Sequence, residues 1–111
     1  MDNSAEPGHT EFELWLEFET WQDQFDRDDE FCNLQVTISD GSRYALNVWT
    51  YKFLSKAITD CKENGEGLGG KYLFPPDLFV ERLDRELLEE VVSDLIACGQ
   101  MKQDWLVDRN P

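Results

Sequence analysis

Carboxylates are the most abundant side chains that could do chemistry in this sequence. Asp and Glu supply 24 of the 111 residues. In residues 10–21, glutamates and tryptophans alternate with apolar residues, a period of two that is typical of a β-strand with one buried side. Neighbouring like charges repel, so a strand selected for stability alone would interleave lysines. We therefore expect the solvent-facing row to contact a partner: Glu11, Glu13, Trp15, Glu17 and Glu19.

A second acidic group follows in residues 23–30, where oxygen ligands could hold a divalent cation. Counted from Asp26, however, the sixth position of a calcium loop falls on Phe31 and the twelfth on Thr37, where Gly and Glu are required. We expect no metal site here. The segment remains a second candidate for partner contact, with these acids: Asp23, Asp26, Asp28, Asp29 and Glu30.

Other residue types that support catalysis or cofactor binding are sparse. His9 is the one histidine, and no serine lies in a nucleophile-elbow motif. The glycine-rich segment 65–70 follows a predicted helix rather than a strand and lacks the phosphate-binding lysine. Cys32, Cys61 and Cys98 lack paired metal-ligand spacing and are expected to be structural thiols in a reducing compartment. We expect neither an enzyme nor a cofactor.

Hydrophobic periodicity predicts an α+β fold with the order β-β-β-α-β-β-α. After the first strand come strands near 31–39 and 43–49, joined by a hairpin turn at Asp40-Gly41-Ser42. Thr50 and Asp84 are predicted to cap two helices that end near Gly65 and Gly99. Residues 64–70 are predicted to be a flexible loop, residues 71–74 and 78–83 short strands, and residues 100–111 a segment that docks back onto the body.

The simplest arrangement of these elements has two layers, with a mostly antiparallel sheet of about five strands and both helices on one face. We expect residues 1–9 to form a flexible tail and residues 10–111 to form a single domain. The other face of the sheet would be open. Trp49, on the outward side of the third strand, is a further candidate for partner contact because exposed aromatic residues among charges anchor interfaces and stack on arginine.

Charge restricts the partners of this open face. The chain carries a formal charge of −14, and residues 1–30 hold eleven acids against one base. This disfavours direct binding to nucleic acid or to an anionic membrane. It favours either a solvated face that promotes solubility or a recognition surface for a basic protein.

Two stretches resemble a known family. Residues 40–54, DGSRYALNVWTYKFL, and residues 72–80, YLFPPDLFV, together with the last amphipathic helix, are similar to small immunity proteins of bacterial contact-dependent inhibition and other polymorphic toxin systems. The resemblance covers residues 31–97. It implies a cytoplasmic antitoxin, a monomer that forms a heterodimer with one cognate toxin domain. Such a toxin is often a nuclease, and the acidic face could mimic the phosphates of its substrate.

Two other functions remain open from the sequence. One is a nucleic-acid mimic or adaptor that binds a host or phage DNA-binding protein, which the same acidic residues would serve. The other is a small-ligand module or an enzyme that uses the glycine-rich segment and nearby acids. The sequence also leaves open whether the first strand or the 23–30 loop contacts the partner.

Overall fold

A computed structural model describes residues 11–108 of the chain. The sheet contains β1 (Phe12–Leu16), β2 (Phe31–Ile38), β3 (Arg43–Thr50), β4 (Leu78–Val80) and β5 (Leu106–Asp108). The helices are α1 (Tyr51–Asn64), the five-residue segment α2 (Glu66–Gly70) and α3 (Arg85–Ala97), with 3-10 turns at Glu17–Thr20 and Gln103–Trp105. The α+β class is confirmed. The predicted tail, with His9, lies outside the described residues.

The strands run in the order β1-β2-β3-β4, and β5 pairs with the other end of β3. The β1–β2, β2–β3 and β3–β5 pairs are antiparallel, whereas β3 and β4 are parallel. The predicted hairpin between β2 and β3 is confirmed: Gly41 has φ 90°, and the Asp40 carboxylate accepts the Ser42 N–H at 2.8 Å. A sheet of five strands was expected, and its fifth strand comes from the chain end.

The predicted strand at residues 71–74 is absent from the described structure. The Gly67 carbonyl accepts the N–H groups of both Lys71 and Tyr72, at 2.9 and 3.3 Å, and so takes up donors that a strand would need for its ladder. The two prolines that follow have no N–H to offer. The strand predicted over 78–83 shortens to β4, and Trp105, which precedes β5, is 5% exposed in the core.

The core lies between the inner face of the sheet and α3. Inner side chains of β2 and β3, such as Leu34 and Val48, pack with Leu88 and Val92 of α3. Asp84 caps α3 as predicted, because its carboxylate accepts the Leu87 N–H at 3.1 Å. These contacts place α3 on the inner face.

The contacts of α1 differ from the expectation that both helices cover one face. Thr50 ends β3 and caps α1 directly, accepting the Phe53 N–H at 3.2 Å, and Gly65 ends the helix with φ 81°. With no loop between strand and helix, Phe53 packs against Phe31 and Trp49 on the outward side of the sheet, at centroid distances of 5.0 and 5.1 Å. The helix therefore begins over the face that was expected to be fully open.

Candidate protein-binding surface

The outward side chains of β1, β2 and β3 form a surface that we call the polar face. Cross-strand register arranges them in rows, because directly opposite residues on adjacent strands share a side of the sheet. One row consists of Glu13 on β1, Thr37 on β2 and Arg43 on β3. The adjacent row consists of Trp15, Gln35 and Ala45 on the same three strands. The next row joins Asn33 to Asn47. Amide, hydroxyl, carboxylate and guanidinium groups thus surround one tryptophan.

Trp15 and two glutamates lie at the β1 end of the polar face. The Trp15 side chain is 45% exposed, and Glu11 and Glu13 are also exposed. Within residues 11–108, neither glutamate has a salt bridge. A shallow groove of about 250 Å³ runs beside Trp15 and is lined in part by Glu13 and by two bases, Arg43 and Arg85. The two glutamates and the indole are available to a second molecule.

The predicted acidic row does not continue past Leu16. The chain turns into the 3-10 helix there, and Glu17 folds back onto β2. Its Oε1 accepts the Asn33 backbone N–H at 2.8 Å and the Asn33 side-chain amide at 3.3 Å. Glu17 thus stays beside the polar face, but its carboxylate extends the β1–β2 pairing beyond the end of the strand.

Glu19 lies away from the row and binds Arg85 at the start of α3. The two side chains form a bidentate pair, with Nε–Oε2 at 2.7 Å and Nη2–Oε1 at 2.8 Å. Arg85 also donates to Glu89 at 2.9 Å and to the Leu14 carbonyl at 2.8 Å. The hydrogen bond from Arg85 lowers the pKa of Glu19 below its ordinary value, because it stabilises the charged carboxylate. Arg85 therefore joins α3 to both β1 and the 3-10 turn that contains Glu19.

Three acids of the 23–30 loop face bases of the same chain. Asp26 lies 3.9 Å from Lys52, Asp29 lies 3.9 Å from Lys56, and Asp28 lies 3.7 Å from Arg82. Asp26 also accepts the Asp28 N–H at 3.0 Å, which closes a tight turn. Part of the negative charge in this loop is therefore neutralised within the molecule.

The loop is also fixed in its middle, at Arg27, and at its end, at Glu30. Glu30 donates its N–H to Thr50 Oγ1 and accepts the Thr50 N–H, both at 3.1 Å. Arg27 exchanges two hydrogen bonds with the backbone of Leu83 and places its guanidinium 5.3 Å from the rings of Phe18 and Phe25. Asp23 is exposed. The loop is thus an ordered connection between the sheet and the segment before α3.

Trp49 is largely engaged inside the chain. It lies opposite Phe31 on one side and Phe79 on the other, in an aromatic row across three strands. Its ring meets Phe53 edge-on, and its indole N–H donates to Asn47 Oδ1 at 3.0 Å. Its present contacts hold α1 to the sheet, and its role in partner contact stays a prediction.

No pattern in the sequence indicates the wide groove that lies beside the 23–30 loop. This groove, of about 780 Å³, is lined in part by Trp21, Phe25 and Arg27. Strand alternation would have placed Trp21 outward beside the glutamates. Instead it packs half-buried at the core and meets the Phe25 ring at 4.9 Å. No local pattern marks the change, because the turn at Glu17–Thr20 redirects the chain.

The thiols differ in environment. Cys32 is fully buried, and desolvation raises the pKa of its thiol to about 12, so the thiol stays protonated. Cys61 is buried and Cys98 exposed. Among residues 11–108, no group of three or more His, Cys, Asp or Glu side chains is arranged to hold a metal ion.

None of the helices described for residues 11–108 combines the length and the apolar composition needed to cross a bilayer.

Comparisons with known proteins provide no family for this chain. No family model matches it, and neither a curated protein nor a solved structure shows significant similarity to it.

Proposed function

We propose that this protein is an immunity protein that neutralises a basic, nuclease-type toxin domain by stoichiometric binding through the polar face. The observation that carries the proposal is the β1 end of that face, where Glu11, Glu13 and Trp15 are exposed and the two glutamates have no salt bridge among the described residues. An exposed tryptophan on the same face as exposed carboxylates suits arginine and lysine side chains, which pair with carboxylates and stack on indole rings.

The net charge of the chain favours a basic protein as partner over a nucleic acid or another polyanion. A formal charge of −14 raises the rate of encounter with a positively charged protein and repels polyanions. A nuclease presents cations where it binds phosphates, and carboxylates on the polar face could occupy those positions. Such inhibition needs only binding, so it requires no catalytic residue.

A second function fits the same surface. An acidic mimic or adaptor that binds a host or phage DNA-binding protein would use the same carboxylates and Trp15. The two functions differ in the activity of the partner, so identification of the partner separates them.

The experiment begins with a tagged chain purified from its native cell and identification of the bound protein. We expect a basic protein whose nuclease activity disappears at one molar equivalent of this chain. A basic DNA-binding protein without nuclease activity would support the mimic instead. If the bound protein is acidic, or if the chain changes no activity of a basic partner, the proposal is wrong.

Charge-reversal variants then test whether the polar face is the surface that binds the partner. Glu11→Lys with Glu13→Lys should weaken partner binding by roughly 100-fold, because it places like charges in the interface. The matched control is Glu63→Lys with Glu90→Lys, two exposed positions away from the polar face with the same change in net charge. The control should bind within about fivefold of the parent, since it alters only long-range steering. Equal loss in both variants would show that net charge, not the polar face, determines binding.

A further inference from the structure

Among the described residues, β1 is the longest strand at an edge of the sheet. It has five residues and pairs only with β2, whereas the other edge strands, β4 and β5, have three residues each. Four of the five residues of β1, FELWL, are apolar. An edge strand offers unpaired N–H and C=O groups to a strand of another molecule, and long apolar edges cause association unless something blocks them. β1 is therefore the edge that most needs protection.

The ladder shows which backbone groups of β1 point away from β2. In an antiparallel pair, successive residues alternate between bonding to the partner strand and pointing to the other side. The Ile38 N–H donates to the Ser42 carbonyl at 3.0 Å, so the even-numbered residues of β2 bond to β3 and the odd-numbered residues bond to β1. Odd-numbered residues of β1 lie opposite odd-numbered residues of β2. Phe12 and Leu14 therefore direct their N–H and C=O groups to the outer edge.

The Arg85 guanidinium occupies the centre of this edge. Leu14 is the middle residue of β1, and its carbonyl accepts a hydrogen bond from Arg85 Nη2 at 2.8 Å. Arg85 is the first residue of α3, and Glu19 and Glu89 fix its guanidinium through three further hydrogen bonds of 2.7 to 2.9 Å. A strand that added to β1 would have to displace a charged group that two carboxylates hold in place.

We propose that Arg85 prevents self-association by closing the edge of β1 to a second copy of the chain. A second copy fits this edge because two β1 strands can pair antiparallel in a symmetric register centred on Leu14. The two Leu14 residues then exchange both backbone hydrogen bonds, and Phe12 of one copy lies opposite Leu16 of the other. Phe12 and Leu14 are only half-buried in the single chain, so this contact would cover them.

The proposal does not rest on the function proposed above. A second copy paired with β1 would lie beside Trp15 and Glu13, which belong to the same strand. By blocking this pairing, Arg85 also keeps the β1 end of the polar face accessible to other molecules.

Arg85→Met tests the proposal, because it keeps an unbranched side chain and removes every donor. At about 500 mM salt, which screens the repulsion between acidic copies, sedimentation should show the parent as a monomer at about 1 mM. Arg85→Met should dimerise with a Kd at least about tenfold lower than that concentration. The matched control is Arg82→Met, which removes the same charge from an exposed arginine that faces Asp28. The control should stay monomeric.

A second variant keeps Arg85 and removes the two carboxylates that fix it. Glu19→Gln with Glu89→Gln should also dimerise, because the free guanidinium no longer stays on the Leu14 carbonyl. Its control is Glu86→Gln with Glu90→Gln, two exposed positions of α3 with the same change in net charge, which should stay monomeric. This pair of variants tests the proposal even if Arg85→Met does not fold.

Hydrogen exchange then locates the contact. The N–H groups of Phe12 and Leu14 should exchange at least about tenfold more slowly in the dimer than in the parent, whereas those of β4 and β5 should keep their rates. A folded Arg85→Met chain that stays monomeric at about 1 mM would overturn the proposal. Equal association of Arg82→Met, or a dimer in which Phe12 and Leu14 gain no protection, would also overturn it.

Discussion

The two acidic regions near the start of the chain use their carboxylates differently. Glu13 of β1 points to solvent beside Trp15, and Glu11, which directly precedes β1, is also exposed. In the 23–30 loop, the carboxylates of Asp26, Asp28 and Asp29 lie near bases of the same chain. The comparison shows that net charge does not locate a binding surface. What matters is which charges the fold leaves without an internal partner.

The difference arises from where the strand ends. Through Leu16 the alternation holds and the glutamates project from the sheet. After it, Glu17 binds Asn33 and Glu19 binds Arg85, so both carboxylates stabilise the fold. Four glutamates that look equivalent in the sequence therefore divide into two that are available and two that are engaged.

Among the substitutions that test stability, the largest loss of unfolding free energy is expected at Thr50, which connects the 23–30 loop to α1. Its side chain is fully buried, and Oγ1 accepts the N–H groups of Glu30 and Phe53. Thr50→Val keeps the shape but leaves two donors without this acceptor, which should cost about 2–3 kcal/mol of unfolding free energy. Urea denaturation measures the loss.

Thr59→Val is the matched control, since the exposed Thr59 hydroxyl only donates to the Ser55 carbonyl. It should cost less than about 0.5 kcal/mol. Equal losses in the two variants would mean that Thr50 does not hold the loop as described.

A smaller effect is expected at Glu19, and it should depend on pH. Because the pKa of Glu19 is lowered in the folded state, its stabilisation is present above the ordinary value of 4.5 and is lost as the pH falls through the lowered pKa. Glu19→Gln should cost about 0.5–1 kcal/mol at pH 7, a value reduced for the exposure of the pair. The difference from the parent should close in acid, and thermal unfolding from pH 7 to pH 3 measures it.

The control for this variant is Glu90→Gln, at an exposed position of α3, the helix that carries Arg85. It should show a difference from the parent of less than about 0.5 kcal/mol across the pH range. A Glu19→Gln difference that stays constant in acid would exclude the ion pair as its source.

The smallest change in unfolding free energy is expected when a charge of the 23–30 loop is removed. Asp28 and Arg82 are both exposed and lie 3.7 Å apart, and exposed pairs of this kind contribute little. Asp28→Asn should therefore change the unfolding free energy by less than about 0.5 kcal/mol and leave partner binding within about threefold. A loss of binding near 100-fold would move the interface from β1 to the loop.

The sequence predicted those parts of the fold that depend on local pattern. The β2–β3 hairpin follows from alternation around Asp40-Gly41-Ser42, and the starts of α1 and α3 follow from Thr50 and Asp84, whose caps need only nearby residues. Glu13 and Trp15 were likewise placed outward by period alone.

The missed features depend on contacts between distant residues. Glu19 leaves the acidic row to bind Arg85, 66 positions along the chain, and no local signal gives this. The fifth strand is only three residues long and pairs with β3 across the molecule. Residues 71–74 have strand-like composition, but the donors of Lys71 and Tyr72 are taken by Gly67.

The most direct test of the proposed surface uses the four tryptophans of the chain as reporters. Trp15 lies on the polar face, Trp21 beside the loop, Trp49 in the aromatic row and Trp105 in the core. In ¹⁵N-labelled protein, one equivalent of the co-purifying basic partner should shift or broaden the Trp15 indole resonance most and leave Trp105 nearly unchanged. An unmoved Trp15 resonance with a shifted Trp21 resonance would contradict the account and place the interface at the loop.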